Sequence, residues 1–552
     1  MNMECTFFVS VKLSSSKGSK MLTVLQFFVT FYLLGAIFAQ HTPHFKPGHR
    51  VIVELFEWTF QDIAKECVFL GQQGFGGVQV APVQEHAIIK GRPWWERYQP
   101  VSYKIFTRSG GEKEFQEMVK ACNESGIRIY VDVILNHMAA PSSFNTTDIV
   151  EGIGGSVANP NLKEYPGVPF TSADFHKDCD IEEGFYKTDA HGIRNCKMVS
   201  LPDLDHYKTN VKQHQVAFLN RLVEFGVAGF RIDKAKHMWP IDCRDIYAQV
   251  NDLNTDFDFP ENARPFFYQE VVDMGSEAIS KIEYAGYGVV TEFVASYILA
   301  NVLKGGAPLT DLKLWGDKMG LLQSKDALVF VDNHDTQRGT GAGGETILNY
   351  KNRKLYTMAN AFLLSHPYGH KRIMSSFAFT NSDQGPPTNK DDTIRSPFCE
   401  DSVEDDCKDD DNNQKDEYGH KQEQHCRNES GWVCEHRWPS IVNMVKMVNI
   451  VKDEPITNFG SIAPNHIYFC RGGKAFIALN NDPVEKFNKT INTCLQEGVY
   501  CDVISGGLRS GVGDRKCTGL EIIVANDKTA RIIIPEDDEY GVIVIHTESK
   551  LQ

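Results

Sequence analysis

Three acidic residues stand at the ends of short, mostly apolar runs. Asp233 ends Gly229-Phe230-Arg231-Ile232-Asp233, Glu270 ends Phe267-Tyr268-Gln269-Glu270, and Asp335 ends Phe330-Val331-Asp332-Asn333-His334-Asp335. Hydrolysis of a glycosidic bond needs two carboxyl groups that flank the bond, and a third carboxylate can hold sugar hydroxyls and favour the charged transition state. Asp233, Glu270 and Asp335 are therefore candidate catalytic residues, and glycoside hydrolysis is a reaction that they could perform together.

These carboxylates can act together only if their strands lie side by side. From about residue 50 onward, apolar, β-branched runs alternate with helical stretches, which is typical of parallel strands covered by helices on both faces. Eight such runs predict a (β/α)8 TIM barrel rather than an open doubly wound sheet. The predicted strands are Val51–Trp58, Gly76–Ala81, Arg128–Leu135, Gly229–Ile232, Phe266–Glu270, Val289–Glu292, Ala327–Val331 and Arg372–Ser376.

The spacing of the carboxylates agrees with a closed barrel. A barrel of about 250 residues has about 31 residues in each β/α unit. Asp233 and Glu270 are about one such unit apart, and Glu270 and Asp335 are about two units apart. A single carboxylate at a strand end can be explained by a salt bridge. Three with this spacing favour a shared site at the end of the barrel where such enzymes carry their chemistry.

Two segments interrupt the alternation of strands and helices. The stretch 139–205 is rich in Gly, Pro and Asp and is too long for a simple loop, so it is predicted to be a small inserted domain. The barrel would then consist of 40–138 and 206–454, with an acidic, solvated loop at 388–427. Short alternating strands in 455–552 predict a separate C-terminal antiparallel β-sandwich domain.

The first 39 residues have the features of a secretory leader. Three lysines precede an uncharged, mostly apolar run from Leu22 to Phe38, and small residues follow at its end. That run is shorter than the about 20 residues of a spanning helix. Cleavage is expected after Ala39, and a retained signal anchor is the alternative. With 14 Cys in the chain, these features predict a secreted, extracellular protein that leaves the membrane after cleavage.

Composition and charge limit the class of partner. The net charge of −15 argues against nucleic acid, because a phosphate polymer requires a basic face, but it does not oppose a neutral polysaccharide. A hydrophobic content of 42% is enough for a large core. The protein is expected to be a monomer. Four Asn-x-Ser/Thr sequons agree with a secreted glycoprotein, at Asn123, Asn145, Asn428 and Asn488.

The catalytic motifs resemble the signature regions of the α-amylase family. These motifs are Arg231-x-Asp233, the run ending in Glu270, Asn333-His334-Asp335 and Asp132-Val133-Ile134-Leu135-Asn136-His137. Three further segments resemble the animal α-amylases in particular: Gly226-Val227-Ala228-Gly229-Phe230-Arg231, Lys236-His237-Met238-Trp239-Pro240 and Trp432-Val433-Cys434-Glu435-His436-Arg437-Trp438. The similarity extends from about residue 46 to the C-terminus, except for the acidic stretch. It implies an endo-acting hydrolase that cleaves internal α-1,4 bonds of starch, glycogen and maltodextrins with retention.

The resemblance implies a role for each residue of the site. Asp233 would be the nucleophile that forms a covalent glycosyl-enzyme, and Arg231 would keep it ionised. Glu270 would be the acid/base, with a raised pKa, and Asp335 would bind hydroxyls of the distorted sugar. The residues implied to contact substrate are Trp94, Trp95, Tyr98, Gln99, His137, Arg231, Lys236, His237 and His334.

The adjacent residues Trp94 and Trp95 carry information of their own. Two consecutive tryptophans cannot both face one core, so at least one is expected to be exposed, where an aromatic ring can stack on a sugar. Packing of Trp94 in the core is the alternative.

The resemblance also implies two ions. A structural Ca²⁺ would join the barrel to the inserted domain through hard oxygen ligands. Its implied ligands are Asn136, Arg194, Asp203 and His237, with Arg194 and His237 contributing backbone carbonyls. An activating chloride would be bound by Arg231, Asn333 and Arg372, and an anion near Glu270 would raise the pKa of that acid. The alternative is that Arg372 is only a surface cation.

Four disulfides are implied by the same resemblance. The pairs are Cys67–Cys122, Cys179–Cys196, Cys426–Cys434 and Cys501–Cys517. Cys399–Cys407 and Cys470–Cys494 are further expected pairs, and Cys243 would then be free.

Two other functions fit parts of the sequence. One is another α-glucan-active barrel glycosidase, an α-glucosidase or a transglycosylase, with the same three carboxylates. Against it, Trp94-Trp95 and His237-Met238 favour endo-action. The other is a non-catalytic barrel subunit, which is disfavoured because all three carboxylates are present.

Overall fold

In the computed structural model, the described residues are 40–398 except 144 and 146, 431–510, and 515–551. The predicted leader at 1–39 lies outside these residues, as does the acidic stretch from 399 onward. The predicted pairs Cys426–Cys434 and Cys399–Cys407 each include a cysteine of that undescribed stretch. Within the described ranges, no helix is both long and apolar enough to cross a membrane.

Eight parallel strands close into a barrel, which confirms the predicted fold. Numbered 1 to 8 in chain order, the strands are Arg50–Leu55, Phe75–Val80, Arg128–Val133, Gly229–Ile232, Phe266–Gln269, Val289–Thr291, Ala327–Val329 and His370–Ser375. The barrel closes where strand 1 pairs with strand 8, with Ile52 opposite Arg372. Every residue of strands 2 to 7 is buried, as expected for strands covered on both faces.

Helices alternate with the barrel strands and cover them. The first, Phe60–Gln73, begins at Thr59, whose side chain accepts a hydrogen bond from the backbone N–H of Asp62, and it ends at Gly74, where φ is 82°. That left-handed conformation suits glycine because it has no Cβ. Among the described residues, the α-helices are Phe60–Gln73, Glu112–Glu124, Phe185–Thr188, Ala190–Asn195, Thr209–Glu224, Pro240–Gln249, Phe293–Leu303, Arg353–Ser365 and Pro439–Val451.

The segment between strands 3 and 4 has its own small elements. Strands Val150–Glu151 and Val157–Ala158 pair, and two short helices follow. The segment returns to the barrel at an isolated bridge between His137 and Asp203, where the N–H of Leu204 donates to Asn136 O at 3.0 Å. A second antiparallel sheet, not predicted from the sequence, follows strand 2 and consists of Gln84–His86, Pro100–Thr107 and Gly110–Gly111.

The C-terminal part is an all-β domain of antiparallel sheets, as predicted. Its four-stranded sheet consists of Ile456–Ala463, His466–Arg471, Ala475–Asn480 and Val542–His546. Three strand pairs complete it: Phe487–Asn492 with Thr529–Ile534, Gly498–Cys501 with Glu521–Val524, and Leu508–Ser510 with Arg515–Cys517. Arg471 Nη1 donates to the carbonyl of Ser365 at 2.5 Å, which fixes this domain against a barrel helix.

Four disulfides lie among the described residues. Three are pairs implied by the sequence resemblance, and the fourth is the further expected pair Cys470–Cys494. The three are Cys67–Cys122, Cys179–Cys196 and Cys501–Cys517. Cys243 is free and buried in the barrel core.

Candidate active site

Asp233, Glu270 and Asp335 lie at the C-terminal ends of barrel strands. The N–H of Asp233 donates to Val133 O and that of Glu270 donates to Ile232 O, both at 3.0 Å, so both residues continue the hydrogen-bond ladder of the barrel. Asp335 follows strand 7 and begins the 3-10 turn Thr336–Arg338. The barrel therefore brings the three carboxylates to one face.

Arg231 is the central cation of this face. Its Nη1 donates to Asp233 Oδ1 at 2.9 Å and to both oxygens of Asp132, at 2.7 and 2.8 Å. Its Nη2 lies 3.0 Å from Glu270 Oε1. One buried guanidinium group is thus ion-paired with three carboxylates, and these place its own pKa well above the ordinary value despite its burial.

Asp233 and Glu270 have different environments. Asp233 Oδ1 accepts from Arg231, but its Oδ2 is buried and accepts no hydrogen bond. Glu270 Oε2 accepts from the backbone N–H of Lys234 at 2.8 Å. Burial raises the pKa of Glu270, the charge of Arg231 opposes this, and the charges of Asp233 and Asp335 add to the increase. Glu270 is therefore suited to hold a proton above the usual pH range of a glutamic acid.

Asp335 is part of a chain of charges that ends on strand 1. His334 Nε2 lies 3.3 Å from Asp335 Oδ2, and His334 Nδ1 lies 2.7 Å from Glu54 Oε1. Burial acts to lower the pKa of His334, but the two carboxylates raise it to about 10. The resulting imidazolium holds the pKa of Asp335 below its usual range, against the effect of burial. Asp335 therefore remains a carboxylate at neutral pH.

The predicted aromatic residues lie next to these charges. The 3-10 turn Trp94–Tyr98 places Trp94 against Tyr98 and His334, with ring centroids 5.8 and 5.5 Å away. Trp94 is buried and its Nε1 donates to Ser382 O at 2.8 Å, whereas Trp95 is partly exposed. Trp94 thus packs inside, the alternative noted from the sequence, and Trp95 has the ring surface open to solvent.

Tyr98 and Gln99 fix the loop that follows strand 2. Tyr98 Oη donates to Asp132 Oδ2 at 3.0 Å, and its backbone carbonyl lies 3.0 Å from His137 Nε2. Gln99 Oε1 accepts from the N–H of Ala140 at 3.0 Å. Burial lowers the pKa of His137 to about 4, so this imidazole is neutral. Its Nδ1 lies 3.5 Å from Asn136 Nδ2, so both ring nitrogens have partners within the protein.

Lys236 and His237 lie in the turn after strand 4, at the side of the inserted segment. Lys236 Nζ donates to Val272 O at 2.6 Å and forms an ion pair with Glu277. His237 Nδ1 lies 3.2 Å from Ile193 O, and burial lowers the pKa of His237 to about 3. This turn therefore connects the carboxylate face with the predicted calcium region.

The four residues implied for calcium are brought to the junction of barrel and inserted segment. Asn136 and Asp203 lie beside the same bridge, and His237 contacts the residue before Arg194. Asn136 Oδ1 is buried and accepts no hydrogen bond, and burial raises the pKa of Asp203 to about 7. Asn136 Oδ1 is therefore free to bind a cation, and a cation would stabilise the charged form of Asp203, which burial disfavours. Oxygen ligands of this kind fit a hard cation.

This donor set is not a cluster of acidic and histidine side chains. In the described part of the chain, no group of three or more His, Cys, Asp and Glu residues could hold a metal ion. The implied set instead combines one carboxylate with an amide oxygen and two backbone carbonyls, which is a type of site that calcium accepts.

The residues implied for chloride form a donor set inside the barrel. Arg372 Nη1 donates to Gln79 Oε1 at 2.7 Å, but its Nε and Nη2 are buried and have no hydrogen-bond acceptor. Arg231 Nη2 also forms no hydrogen bond, but it is ion-paired with Glu270 Oε1 at 3.0 Å. Asn333 uses its Oδ1 to accept from Thr336 N at 2.8 Å, so its amide nitrogen is the group it can offer to an anion. These donors fit an anion, and Arg372, 1% exposed, is not a surface cation.

Two carboxylates of the site were not assigned from the sequence. Asp132 lies near the end of strand 3 and pairs with Arg231 and Tyr98, and burial raises its pKa above the usual range. Glu54 lies in strand 1 and contacts His334. Both had a local signal, because each is an acidic residue in an apolar run, Asp132 within Arg128–Leu135 and Glu54 within Val51–Trp58.

Two family profiles match the chain. The profile described as "Alpha amylase, catalytic domain" matches residues 60–270, and "Alpha amylase, C-terminal all-beta domain" matches residues 458–548. The first match includes Asp233 and Glu270, and Asp335 follows it in the chain.

Curated relatives and solved structures are similar over nearly the whole length. The "Alpha-amylase-related protein" of Drosophila willistoni is 46% identical over 520 residues, which are 94% of this chain and 98% of the relative. The protein of the same name from Drosophila teissieri is 45% identical over 526 residues, 95% and 99% of the two chains. Wild-type α-amylase I from Eisenia fetida is 38% identical with a TM-score of 0.80, covering 91% of this chain and 98% of that one. A variant of that enzyme solved in complex with maltohexaose gives the same TM-score at 37% identity and the same coverage.

Proposed function

Because the chain belongs to the α-amylase family, we propose that it is a secreted, endo-acting α-amylase that hydrolyses internal α-1,4-glucosidic bonds of starch, glycogen and maltodextrins with retention. The observation that carries this proposal is the ion pairing of both Asp233 and Glu270 with Arg231. Two carboxyl groups on one guanidinium group are close together, and retaining glycosidases need a separation of only about 5–5.5 Å. The substrate class rests on the maltohexaose complex of the earthworm enzyme.

In the first step, Glu270 donates its proton to the glycosidic oxygen and Asp233 attacks the anomeric carbon. The bond between that carbon and the leaving oxygen breaks, and Asp233 Oδ2 forms a bond with the carbon. Oδ2 is the oxygen that accepts no hydrogen bond, while Arg231 holds Oδ1. The nucleophile is thereby oriented without losing its reactive lone pair.

In the second step, Glu270 acts as a base. Its carboxylate takes a proton from water, the water oxygen bonds to the anomeric carbon, and Asp233 is released. Asp335, kept ionised by His334, accepts hydrogen bonds from sugar hydroxyls and stabilises the positive charge that develops on the ring.

We propose one structural Ca²⁺ held by the side chains of Asn136 and Asp203 and the backbone carbonyls of Arg194 and His237. The unused Asn136 Oδ1 supports this site. The ion would link strand 3 and the turn after strand 4 to the inserted segment by sharing ligands among them. It has no part in the chemical steps.

We also propose that chloride binds at Arg231, Asn333 and Arg372. A bound anion would supply negative charge near Glu270 and so favour its protonated form. The buried Nη2 of Arg372, which has no acceptor, supports an anion here.

The first experiment tests endo-action on starch. Protein recovered from the medium of expressing cells is expected to remove the iodine colour of soluble starch faster than it releases reducing ends, because each internal cut destroys a long helix of glucose units. Long maltodextrins should yield short oligosaccharides. Release of glucose alone would identify an α-glucosidase, and products longer than the substrate would identify a transglycosylase.

A chloride response is expected in the pH profile. Burial already raises the pKa of Glu270. An added anion should raise this pKa further, which increases activity and moves the alkaline limb of the kcat/KM profile to higher pH. One pKa unit is about 1.4 kcal/mol, so even a fraction of a unit is measurable as a change in rate. Arg372→Gln should remove this shift and retain measurable activity.

The measurement is the pH–rate profile in chloride and in a non-binding salt at equal ionic strength, for the parent and the variant. Superimposed parent profiles would show that no anion acts here.

A further inference from the structure

Glu54 is a buried carboxylate to which the proposed mechanism gives no role. It lies within barrel strand 1, is 2% exposed, and contacts two residues of the site at once. Its Oε1 lies 2.7 Å from His334 Nδ1, and its Oε2 lies 3.4 Å from Arg372 Nε. A charged carboxylate that is buried away from water requires oppositely charged groups nearby. For Glu54 these groups are His334 on the catalytic face and Arg372 in the anion site.

The contact with Arg372 is on the side of the guanidinium group that has no other acceptor. Nη1 of Arg372 is used by Gln79, whereas Nε and Nη2, which point the same way along one edge, form no hydrogen bond. Glu54 Oε2 also lacks a hydrogen-bond partner. The carboxylate of Glu54 therefore faces the edge of Arg372 that would bind an inorganic anion.

Electrostatics show that Glu54 is charged in this position. Burial acts to raise the pKa of Glu54, but Arg372 and His334, with a further contribution from Arg231, lower it to about 2. A negative charge is thus already present at the two arginines of the anion site before any ion from solution binds.

We propose that Glu54 is a built-in anion of the Arg372 site and that it weakens the binding of chloride there. The proposal rests on the anion site of the proposed function. Two negative charges a few ångströms apart repel each other strongly in a buried region. Removal of the Glu54 charge should therefore tighten chloride binding at least tenfold. Glu54 itself is a positioning residue, because it acts on the reaction through Arg372 and His334.

The test is a chloride titration read by thermal unfolding, which does not depend on activity. The melting temperature of the parent and of Glu54→Gln is measured against sodium chloride, with sodium gluconate keeping the ionic strength constant. An ion that binds only the folded state raises the melting temperature as it saturates the site. The half-effect concentration is expected to be at least tenfold lower for Glu54→Gln. Starch hydrolysis measured in the same titration should show the same displacement.

Glu57→Gln is the matched control. Glu57 is three residues further along, is equally buried, and is paired with Arg97 at 3.0 Å rather than with Arg372. Its loss of charge should leave the half-effect concentration of chloride unchanged. Circular dichroism shows whether Glu54→Gln folds. If it does not, Glu54→Asp is used instead, because its shorter side chain draws the carboxylate away from Arg372. This variant should lower the half-effect concentration of chloride by a smaller factor.

Equal half-effect concentrations in the parent and Glu54→Gln would overturn the proposal, and so would the absence of a chloride effect in both proteins. A change in hydrolysis without a displaced chloride titration would also overturn it, because that pattern is expected if Glu54 only anchors His334. A displaced melting titration in a protein that does not cleave starch would leave the role of Glu54 standing while rejecting the hydrolase.

Discussion

Replacement of Asp233 by asparagine should lower kcat for soluble starch by about 10⁴-fold or more, the scale of loss found when a catalytic nucleophile is removed. The amide is nearly the same size as the carboxylate and can still accept a hydrogen bond from Arg231 through its oxygen. It cannot form the glycosyl ester. The fold should therefore persist while the chemistry stops.

The measurement combines initial rates with melting temperature and circular dichroism. Asp326→Asn is the matched control, because Asp326 precedes strand 7 at the opposite end of the barrel and lies 3.4 Å from His41. It makes the same chemical change far from Arg231 and should leave turnover near the parental value. Turnover of Asp233→Asn within tenfold of the parent would reject Asp233 as the nucleophile.

Removal of calcium should cost both stability and activity. An ion held at 100 times its dissociation constant stabilises the folded state by about 2.7 kcal/mol, and 1 kcal/mol corresponds to about 2–4 °C in a domain of 150–250 residues. We therefore expect a chelator to lower the melting temperature by at least about 5 °C. Activity should fall as well, because the Lys236–His237 turn is tied to the inserted segment at Ile193.

Asp203→Asn separates the ion from other effects of the chelator. The variant should melt lower than the parent in calcium and should respond little to chelation, because its ligand set has lost its only carboxylate. The bound ion can also be counted by elemental analysis of the dialysed protein, with one calcium per chain expected. A parental melting temperature that is the same with and without chelator would exclude a structural calcium.

The eight barrel strands were predictable because burial on both faces leaves a strong local signal. Strands 2 to 7 are buried at every position and mostly apolar, and apart from the insertion at 139–205 their spacing follows the β/α unit. The limits were less predictable. Val51–Trp58 was predicted for strand 1, but the strand ends at Leu55, while Phe56 and Trp58 remain buried beyond it. Apolar character marks burial, and here burial continues into the loop that packs over the barrel end.

The residues of the site were predictable only where they belong to a short motif that is continuous in the sequence. Arg231 and the three carboxylates are recognised by local order, but Glu54 has partners that are distant in sequence, and only barrel closure brings His334 and Arg372 to it. The calcium residues are scattered for the same reason. Trp94 and Trp95 show a different limit, since the sequence requires that they face different ways but does not say which of them is buried.

The pairing of strand 1 with strand 8 has a consequence for the order in which the chain is made. Strand 1 is synthesised first, but its partner across Ile52 and Arg372 comes from the last barrel strand, so one edge of strand 1 has no partner during most of translation. An unpaired edge is a template for aggregation. Chains that stop before residue 370 would keep that edge open and would lack Arg372, the partner of Glu54. Release of a nascent chain from chaperones should therefore wait for strand 8, and the same event would complete the charge cluster of the site.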